Sequence, residues 1–407
     1  MNSAMQEWKR KGHLPLAAMV GVTGSSIFSY ASGVFMEPMT REFGWSRTEY
    51  FFVVTLQMLC NLVAVPVVGV LIDRFGSRAI ALPGCLVFMA GIALLGMASG
   101  SVVQWWALGM VLIVCTAPVS QPVWVAPVAR QFHASRGLAM ATALSGNGVG
   151  TMIWPILSTV AIAWVGWRAG WALLAVLWGV VALPLTMLLF FDGEQQRPAV
   201  AAAAGPSLRG LKPVIASRPF QFLTLSGCLF SCAVFGLSVH IVPMLHAQGV
   251  ASGHAAMLAG LVGLAAIVGR VGTGYLLDRY PAKPVGICVF LLPVAYCLAI
   301  ANASGSISLL AIAAGCLGLG AGAEIDVVPF IAARLFDRRI FGSIYSIVVA
   351  CFGICASAGP LLAGALYDAT GSYEPFLLAA GGLAMAGACL MLLMPSIDGE
   401  AGDVIAA

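Results

Sequence analysis

The sequence predicts an all-α integral membrane protein whose twelve transmembrane helices form two six-helix pseudo-repeats. Three observations predict this class: an extreme apolar composition, apolar runs long enough to cross a bilayer, and an internal repeat. Of the 407 residues, 60% are hydrophobic and only 9% are charged, and the mean hydropathy is +0.98. Because soluble domains carry about 25% charged residues, this chain needs lipid as its solvent.

Apolar runs recur along the chain, and each is long enough to cross roughly 30 Å of hydrocarbon as a helix. The first run follows Lys9, Arg10 and Lys11. It is too long for a signal peptide, so we interpret it as an uncleaved helix. The twelve predicted spans are 14–37, 50–72, 79–98, 103–128, 137–163, 168–191, 219–246, 254–277, 284–302, 306–333, 341–367 and 374–394.

The basic residues predict the orientation of these spans. With a cytoplasmic N-terminus, sixteen of the twenty Lys and Arg residues lie on the cytoplasmic side and three lie outside, which satisfies the positive-inside rule. The net charge of +4 then follows from topology and indicates no nucleic-acid partner. We expect a multi-pass protein of the bacterial inner membrane with both termini in the cytoplasm. The eleven cysteines lack metal-ligand spacing, so we expect buried thiols and no metal.

A shift of 205 residues relates the two halves of the chain. It places Gly44 on Gly249, Gly69 on Gly274, Asp73 on Asp278, Arg74 on Arg279 and Gly166 on Gly371. Because each half contains an even number of spans, the repeats are parallel and related by an axis along the membrane normal. The predicted organisation is a six-helix bundle at 1–191, a cytoplasmic linker at 192–218 and a second six-helix bundle at 219–407.

The loop between spans two and three carries the motif G-x-x-x-D-R-x-G-x-R, and a partial copy begins at Gly274, in which Pro281 replaces the second glycine. Together with the twelve spans and the repeat, this motif resembles the signature of the major facilitator superfamily over essentially the whole chain. The resemblance implies that charged motif residues hold the cytoplasmic side closed while the two halves rock around a central site. The implied cytoplasmic gate consists of Asp73, Arg74, Arg78, Asp278 and Arg279. Anchoring of helix ends in the headgroups is the alternative, and we favour it for Arg78 and Lys283.

Residues 132–150 show a narrower resemblance, to the monocarboxylate-transporter pattern F-x-K-R-R-x-L-A-x-G-x-A-x-A-G-x-x-x-G. The matching positions are Phe132, Arg136, Leu138, Ala139, Ala143, Gly146 and Gly150, and the departures are Ala134, Ser135, Ala141 and Ser145. The stretch EFGWSRTEY is also similar to bacterial members of this branch and of the related oxalate–formate antiporters.

The function that this resemblance implies is secondary transport of a small organic anion, with proton-coupled transport of a monocarboxylate as the leading hypothesis. An anion antiporter, or an exporter of amphipathic compounds from the same superfamily, is the alternative. The sequence contains no ATP-binding loop G-x-x-x-x-G-K-[ST] and no nucleophile–base pair. We therefore expect gradient-driven transport by a monomer without a cofactor, and no enzymatic activity.

Three charged residues lie well inside predicted spans, where each is costly: Arg270 in span eight, and Glu324 and Asp326 in span ten. Their similar depths predict that they meet inside the second half. The spacing Arg270-x-x-x-Gly274 resembles the eighth-span arginine of monocarboxylate carriers, which implies that Arg270 binds a substrate carboxylate through its planar guanidinium. A permanent structural ion pair is the alternative.

The sequence departs from those carriers at Ala266 and Val34, where the resemblance would place an Asp and a Lys. We therefore expect Glu324 or Asp326 to couple transport to protons. Because these two acids are about 200° apart around a helix, both point the same way only if span ten breaks, and nearby glycines and Pro329 would permit such a break. Weaker candidates for substrate binding are Tyr30, Gln121 and Asn147, followed by Gln57, Asn61, Trp124 and His240. Each of these alone is more typical of a helix–helix hydrogen bond or of packing.

Overall fold

The computed structural model describes residues 3–192, 213–277, 279–303, 305–335 and 341–394, and these residues are almost entirely helical. The chain divides into two compact units, residues 1–199 and residues 200–407. Most of the predicted linker, 192–218, lies outside the described residues. The predicted boundaries of the two bundles therefore stay a prediction.

The helices of the first unit supply spans one to six, preceded by one short helix. In chain order they are Ser3–Lys11, His13–Ser25, Ile27–Phe43, Arg47–Phe75, Ser77–Leu94, Val102–Thr116, Gln121–Gln131, Arg136–Leu144 and Gly146–Leu189, with 3-10 turns at Leu95–Met97 and Ala117–Val119. The helices of the second unit are Arg218–Val239, Ile241–Ala247, Ser252–Leu277, Ala282–Asn302, Ile307–Leu335, Phe341–Thr370 and Glu374–Leu393.

Each predicted span coincides with helices of these units. Among the described residues, ten helical segments are long and apolar enough to cross a membrane. One of these segments, Arg136–Leu189, contains both span five and span six. Gly166 separates the two spans, because its φ of 73° and ψ of 170° interrupt the helix. The 29-residue helix Arg47–Phe75 supplies span two. The predicted all-α membrane class with twelve spans is confirmed.

The repeat appears in the backbone as pairs of glycines with positive φ, a conformation that is open to glycine at little steric cost. Gly44 (φ 70°) corresponds to Gly249 (78°), Gly100 (95°) to Gly305 (80°), and Gly166 (73°) to Gly371 (73°). Each pair is separated by the predicted 205 residues, so both halves reverse direction at equivalent positions.

The two copies of the charged loop turn differently. The first turns at Gly76, with φ 84° and ψ 155°. In the second copy the equivalent residue is Pro281, with φ −54°. At this position the second copy therefore has a negative φ where the first has a positive one.

Several spans are broken rather than continuous. In the first unit, span one breaks at Ser26 and span four at the turn Ala117–Val119. In the second unit, span seven breaks at His240. A break leaves backbone groups that need partners. At the first break, the carbonyl oxygen of Thr23 accepts hydrogen bonds from the Ser26 hydroxyl (2.7 Å) and from the Trp154 indole N–H (2.8 Å).

The helix Ser3–Lys11 packs on the loop between spans four and five. The Glu7 carboxylate accepts hydrogen bonds of 3.0–3.1 Å from the backbone N–H groups of residues 133–135 and from the Ser135 hydroxyl. The Lys11 ammonium group donates to the Gln131 carbonyl (3.1 Å), and the Trp8 ring meets the Phe132 ring edge-on at 5.6 Å. Since the bound N–H groups directly precede the helix Arg136–Leu144, the carboxylate also lies at a favourable helix terminus.

The expectation that all eleven cysteines are buried is wrong for seven of them. Four are buried and five are half-buried, and Cys288 and Cys389 are free thiols exposed on the surface of the second unit. Cysteine behaves as a small apolar residue, so a membrane span accommodates it at any of these positions.

Candidate functional site

A hydrogen bond connects spans seven and ten in the second unit. The hydroxyl of Ser231 donates to Oε1 of Glu324 at 2.6 Å. Ser231 is buried on the helix Arg218–Val239, and Glu324 is half-buried on the helix Ile307–Leu335. Ser231 is a site residue that the sequence did not reveal, since serine inside a membrane helix commonly bonds its own backbone.

Spans eight and ten approach each other closely around Arg270. A Cβ added to Gly318 would meet the carbonyl oxygen of Val262, and one added to Gly322 would meet that of Ala266. A Cβ added to Gly269 would meet the backbone of Leu319. Arg270, the next residue, therefore lies in the part of span eight that packs on span ten.

The helix Ile307–Leu335 is continuous, so the break that the sequence would permit in span ten does not occur. The glycines of this segment have another use. Gly318 and Gly322 allow the backbones of spans eight and ten to approach, as small residues do in membrane helices. The side chain of Asp326 lies outside the described part of the chain, so its role in coupling stays a prediction.

Two of the predicted polar residues come together in the first unit. The hydroxyl of Tyr30, on span one, interacts with the hydroxyl of Thr151 on span five. Thr151 in turn donates to the backbone carbonyl of Asn147 at 2.9 Å. The contact between Tyr30 and Thr151 lies beside the break in span one. Gly150 precedes Thr151, and a Cβ added to it would meet the hydroxyl of Ser26 at that break. The sequence did not single out Thr151.

Gln121 lies elsewhere in the first unit. It is the exposed first residue of the helix Gln121–Gln131, directly after the break in span four. Helix breaks within a membrane protein can line a water-filled cavity, where a ligand can reach a polar side chain. Its role in substrate binding stays a prediction.

Two of the weaker candidates have the contacts of structural residues. Trp124 is fully buried, and its indole N–H donates to the Val119 carbonyl at 2.9 Å. His240 is also fully buried. Its two ring nitrogens lie 3.0 Å from the Tyr373 hydroxyl and 3.0 Å from the Pro360 carbonyl. His240 therefore joins the break of span seven to span eleven.

The basic residues that begin spans three and nine make equivalent contacts. Arg78 donates to the Met187 carbonyl (2.7 Å) at the end of span six, and its guanidinium stacks on the Phe191 ring at 4.1 Å. Lys283 donates to the Met394 carbonyl (2.6 Å) beyond the end of span twelve. Each contact holds together two helix ends of one unit, and the role of Arg78 in the gate stays a prediction.

The remaining gate candidates are only partly described. Arg74 is exposed, and its guanidinium lies 5.1 Å from the Phe75 ring centroid. Arg279 is also exposed, and its guanidinium lies 4.0 Å from the Tyr275 ring centroid. The side chain of Asp73 and the whole of Asp278 lie outside the described residues. Their gating role therefore stays a prediction.

Solved structures with the same fold are transporters. The chain is similar to the nucleoside transporter NupG, with a TM-score of 0.76 and 10% identity over 94% of this chain and 98% of that one. It is also similar to a bacterial homologue of the human lysosomal transporter Spinster in an inward-facing, unoccupied conformation. That match has a TM-score of 0.64 and 14% identity over 97% of this chain and 95% of the other.

The sequence relatives include proteins named as monocarboxylate transporters and one named as an efflux protein. Monocarboxylate transporter 11 of Mus musculus is 24% identical over 399 residues, which cover 94% of this chain and 87% of the relative. The agnestins efflux protein AgnL12 of Paecilomyces divaricatus is 25% identical over 397 residues, which cover 95% of this chain and 88% of the relative.

The family model of the Major Facilitator Superfamily matches residues 18–302 and 243–404. These two matches overlap and together cover nearly the whole sequence. The chain is therefore a multi-pass integral membrane protein that belongs to the major facilitator superfamily of transporters.

Proposed function

We propose that this protein is a secondary transporter that moves a small organic anion, a monocarboxylate, across the membrane by alternating access and in symport with protons. The observation that carries the proposal is the hydrogen bond between Ser231 and Glu324, on the helix that span eight packs against next to Arg270. An ionisable acid and an arginine on two apolar spans that pack together support a site for an anion and a proton. Relatives that are named as monocarboxylate transporters support the class of substrate.

Arg270 supplies the positive charge for the substrate. A guanidinium offers two parallel N–H donors to a carboxylate, and such charge-assisted bonds are strongest where water is scarce. Arg270 is half-buried on the helix Ser252–Leu277. Since an uncompensated charge within a span is costly, Arg270 pairs with a span-ten acid when the site is empty. The carboxylate of an arriving substrate competes with that acid for the guanidinium of Arg270.

Glu324 supplies the proton site. A carboxylate that loses the compensating charge of Arg270 in a poorly hydrated environment takes up a proton. Ser231 suits both states of the acid, because a hydroxyl donates to the ionised carboxylate and accepts from the protonated one. The acid is therefore hydrogen-bonded before and after it takes up the proton. Substrate and proton bind together, and the release of one favours the release of the other.

Alternating access requires a gate that closes the site on the cytoplasmic side. We propose that Asp73, Arg74, Asp278 and Arg279 form the cytoplasmic gate. We further propose that both termini are cytoplasmic, that the protein functions as a monomer and that it belongs to a bacterial inner membrane. The positive-inside distribution of Lys and Arg supports this orientation.

Export of an amphipathic compound is the second candidate function. The relative AgnL12 is named as an efflux protein, and it covers this chain as fully as the monocarboxylate transporters do. Both functions use the same superfamily fold, and they differ in whether a carboxylate is required for binding. A pair of ligands that differ only in this group therefore separates them.

A thermal-shift measurement on purified protein tests the proposed function, because a ligand that binds the folded state raises the unfolding temperature. The panel contains short 2-hydroxy and 2-oxo monocarboxylic acids, and the amide of each acid as the matched control. We expect acids to stabilise the protein and amides to leave it unchanged. Equal effects of acid and amide, or stabilisation only by larger amphipathic compounds, would reject the monocarboxylate and favour the exporter.

A further inference from the structure

A groove lies between spans eight and nine of the second unit, with span ten as its floor. The helices Ser252–Leu277 and Ala282–Asn302 each pack along Ile307–Leu335 but make few contacts with one another. The space that they leave has a volume of about 550 Å³. The groove is separate from the Ser231–Glu324 pair, because none of its lining residues belongs to span seven.

The lining of the groove is almost wholly apolar. Val268 and Leu276 line one side and are 56% and 40% exposed on the surface of the unit. Cys288 and Leu292 line the other side, and Leu319 belongs to the floor. Such a surface offers no partner to a small organic anion, so the transported substrate is not its ligand. A hydrocarbon chain matches it, since burial of apolar surface needs no polar partners.

One end of the groove has a different chemistry. Tyr280, which is 57% exposed, and Pro281 line that end. The neighbouring Arg279 is exposed and stacks on the ring of Tyr275, and Lys283 is the second residue of the helix Ala282–Asn302. Tyrosine is enriched at the level of lipid headgroups, and basic clusters at the ends of membrane helices bind lipid phosphates. The apolar groove therefore opens beside cations.

We propose that this groove holds one acyl chain of a membrane phospholipid whose phosphate is bound at Arg279. The ligand is a phosphodiester lipid, with its chain along Val268, Gly272 and Leu276 and its headgroup beside Tyr280. The chain fills the space between spans eight and nine. A stably bound lipid therefore contributes to the packing of the unit that contains Arg270 and Glu324.

Two glycines allow a matched test. A Cβ added to Gly272, in the groove, or to Gly382, on the exposed surface of span twelve, would meet no atom within 4 Å. Both Gly272→Leu and Gly382→Leu therefore avoid a backbone clash, but only the first fills the groove. Native mass spectrometry of delipidated protein exposed to dioleoyl phosphatidylglycerol measures lipid retention. We expect wild type and Gly382→Leu to retain one tightly bound lipid and Gly272→Leu to lose it.

Dioleoylglycerol, which has the same chains without phosphate, tests the headgroup contact. We expect wild type to retain the phospholipid in preference to dioleoylglycerol, and Arg279→Gln to lose that preference. Equal retention of the phospholipid by wild type and Gly272→Leu would overturn the acyl-chain site. Equal retention of the two lipids by wild type would overturn the phosphate contact.

The exposed thiols give a second measurement that needs no leucine variant. Cys288 lines the groove, whereas Cys389 is exposed on span twelve. We expect added phospholipid to slow the reaction of Cys288 with N-ethylmaleimide relative to that of Cys389. If lipid left the ratio of the two rates unchanged, the proposal would be wrong. It would also be wrong if Cys288 were unreactive without lipid, since another part of the chain would then cover the groove.

Discussion

Ser231 and Glu324 are joined across spans seven and ten by a hydrogen bond of 2.6 Å, in which the serine hydroxyl donates to the carboxylate. The contact connects a neutral group to an ionisable one inside an apolar bundle. A hydroxyl can reverse its role when the carboxylate is protonated. The pair is therefore suited to an acid that gains and loses a proton during each transport cycle.

Replacement of Ser231 tests this pairing. Ser231→Ala removes the hydroxyl, and a hydrogen bond to a charged group contributes about 1.5–3 kcal/mol. We expect pH-driven uptake to fall by roughly tenfold or more, since about 1.4 kcal/mol corresponds to a factor of ten. Ser231→Thr keeps the hydroxyl and serves as the control, with uptake near the wild-type rate. Equal activities of the Ala and Thr variants would remove Ser231 from the mechanism.

Replacement of Arg270 tests recognition of the carboxylate. Arg270→Lys keeps the charge but loses the planar pair of donors. We expect transport to fall by about tenfold to a hundredfold, and the thermal stabilisation by the acid to disappear. Arg168→Lys is the matched control, because Arg168 forms a largely exposed pair with Glu42 at 2.7 Å. An Arg270→Lys variant that is as active as this control would show that a point charge is sufficient.

The sequence predicts the fold well because lipid imposes simple rules. Span length, the distribution of basic residues and the 205-residue repeat are all visible in one dimension. The glycine pair Gly166 and Gly371 illustrates this, since both residues reverse the chain with φ 73°. The closely packed glycines were harder to interpret. Gly318 and Gly322 would permit a break in span ten, but they serve contact with span eight, which sequence alone cannot reveal.

The site was predictable only in part. Charges inside apolar runs identify Arg270 and Glu324, because the cost of burying them is evident from the sequence. Ser231 and Thr151 remained hidden, since their contacts depend on how each helix is rotated about its axis. Glu7 was missed for a related reason. Its partners are backbone N–H groups, which leave no trace in the sequence.

Replacement of Asp73 tests the cytoplasmic gate. Asp73→Asn removes one charge from the loop motif that contains Asp73 and Arg74. The adjoining helices stay apolar, so we expect normal membrane insertion. Transport should be slower, because the proposed gate loses one of its charged groups. Uptake by proteoliposomes, normalised to the amount of reconstituted protein, measures the effect. Wild-type rates would reduce Asp73 to an anchor like Arg78.

The contact of Glu7 predicts a pH-dependent change at the N-terminus. Backbone hydrogen bonds, above all that from Ala134, lower the pKa of Glu7 from 4.5 to about 2. A depressed pKa means that the contact contributes fully above the ordinary value and is lost as pH falls toward 2. We therefore expect docking of the helix Ser3–Lys11 to be constant from pH 6 to 8 and to weaken below about pH 4.5.

Limited trypsin digestion at neutral pH measures this docking, since Lys9, Arg10 and Lys11 all lie on the helix. We expect Glu7→Gln to be cleaved faster than wild type, because the neutral amide is a weaker acceptor. The exposed neighbour Gln6 provides the control variant Gln6→Ala, which should be cleaved at the wild-type rate. Identical digestion of all three proteins would show that the Glu7 contact does not hold the helix.

The most direct test of proton-coupled transport is the comparison of two fluxes in Glu324→Gln proteoliposomes. Counterflow exchange needs only substrate binding and alternating access, whereas accumulation driven by an inward proton gradient also needs a proton site. The account predicts that Glu324→Gln retains counterflow exchange and loses pH-driven accumulation, while wild type shows both. Accumulation of the monocarboxylate by Glu324→Gln in response to the pH gradient would contradict the account.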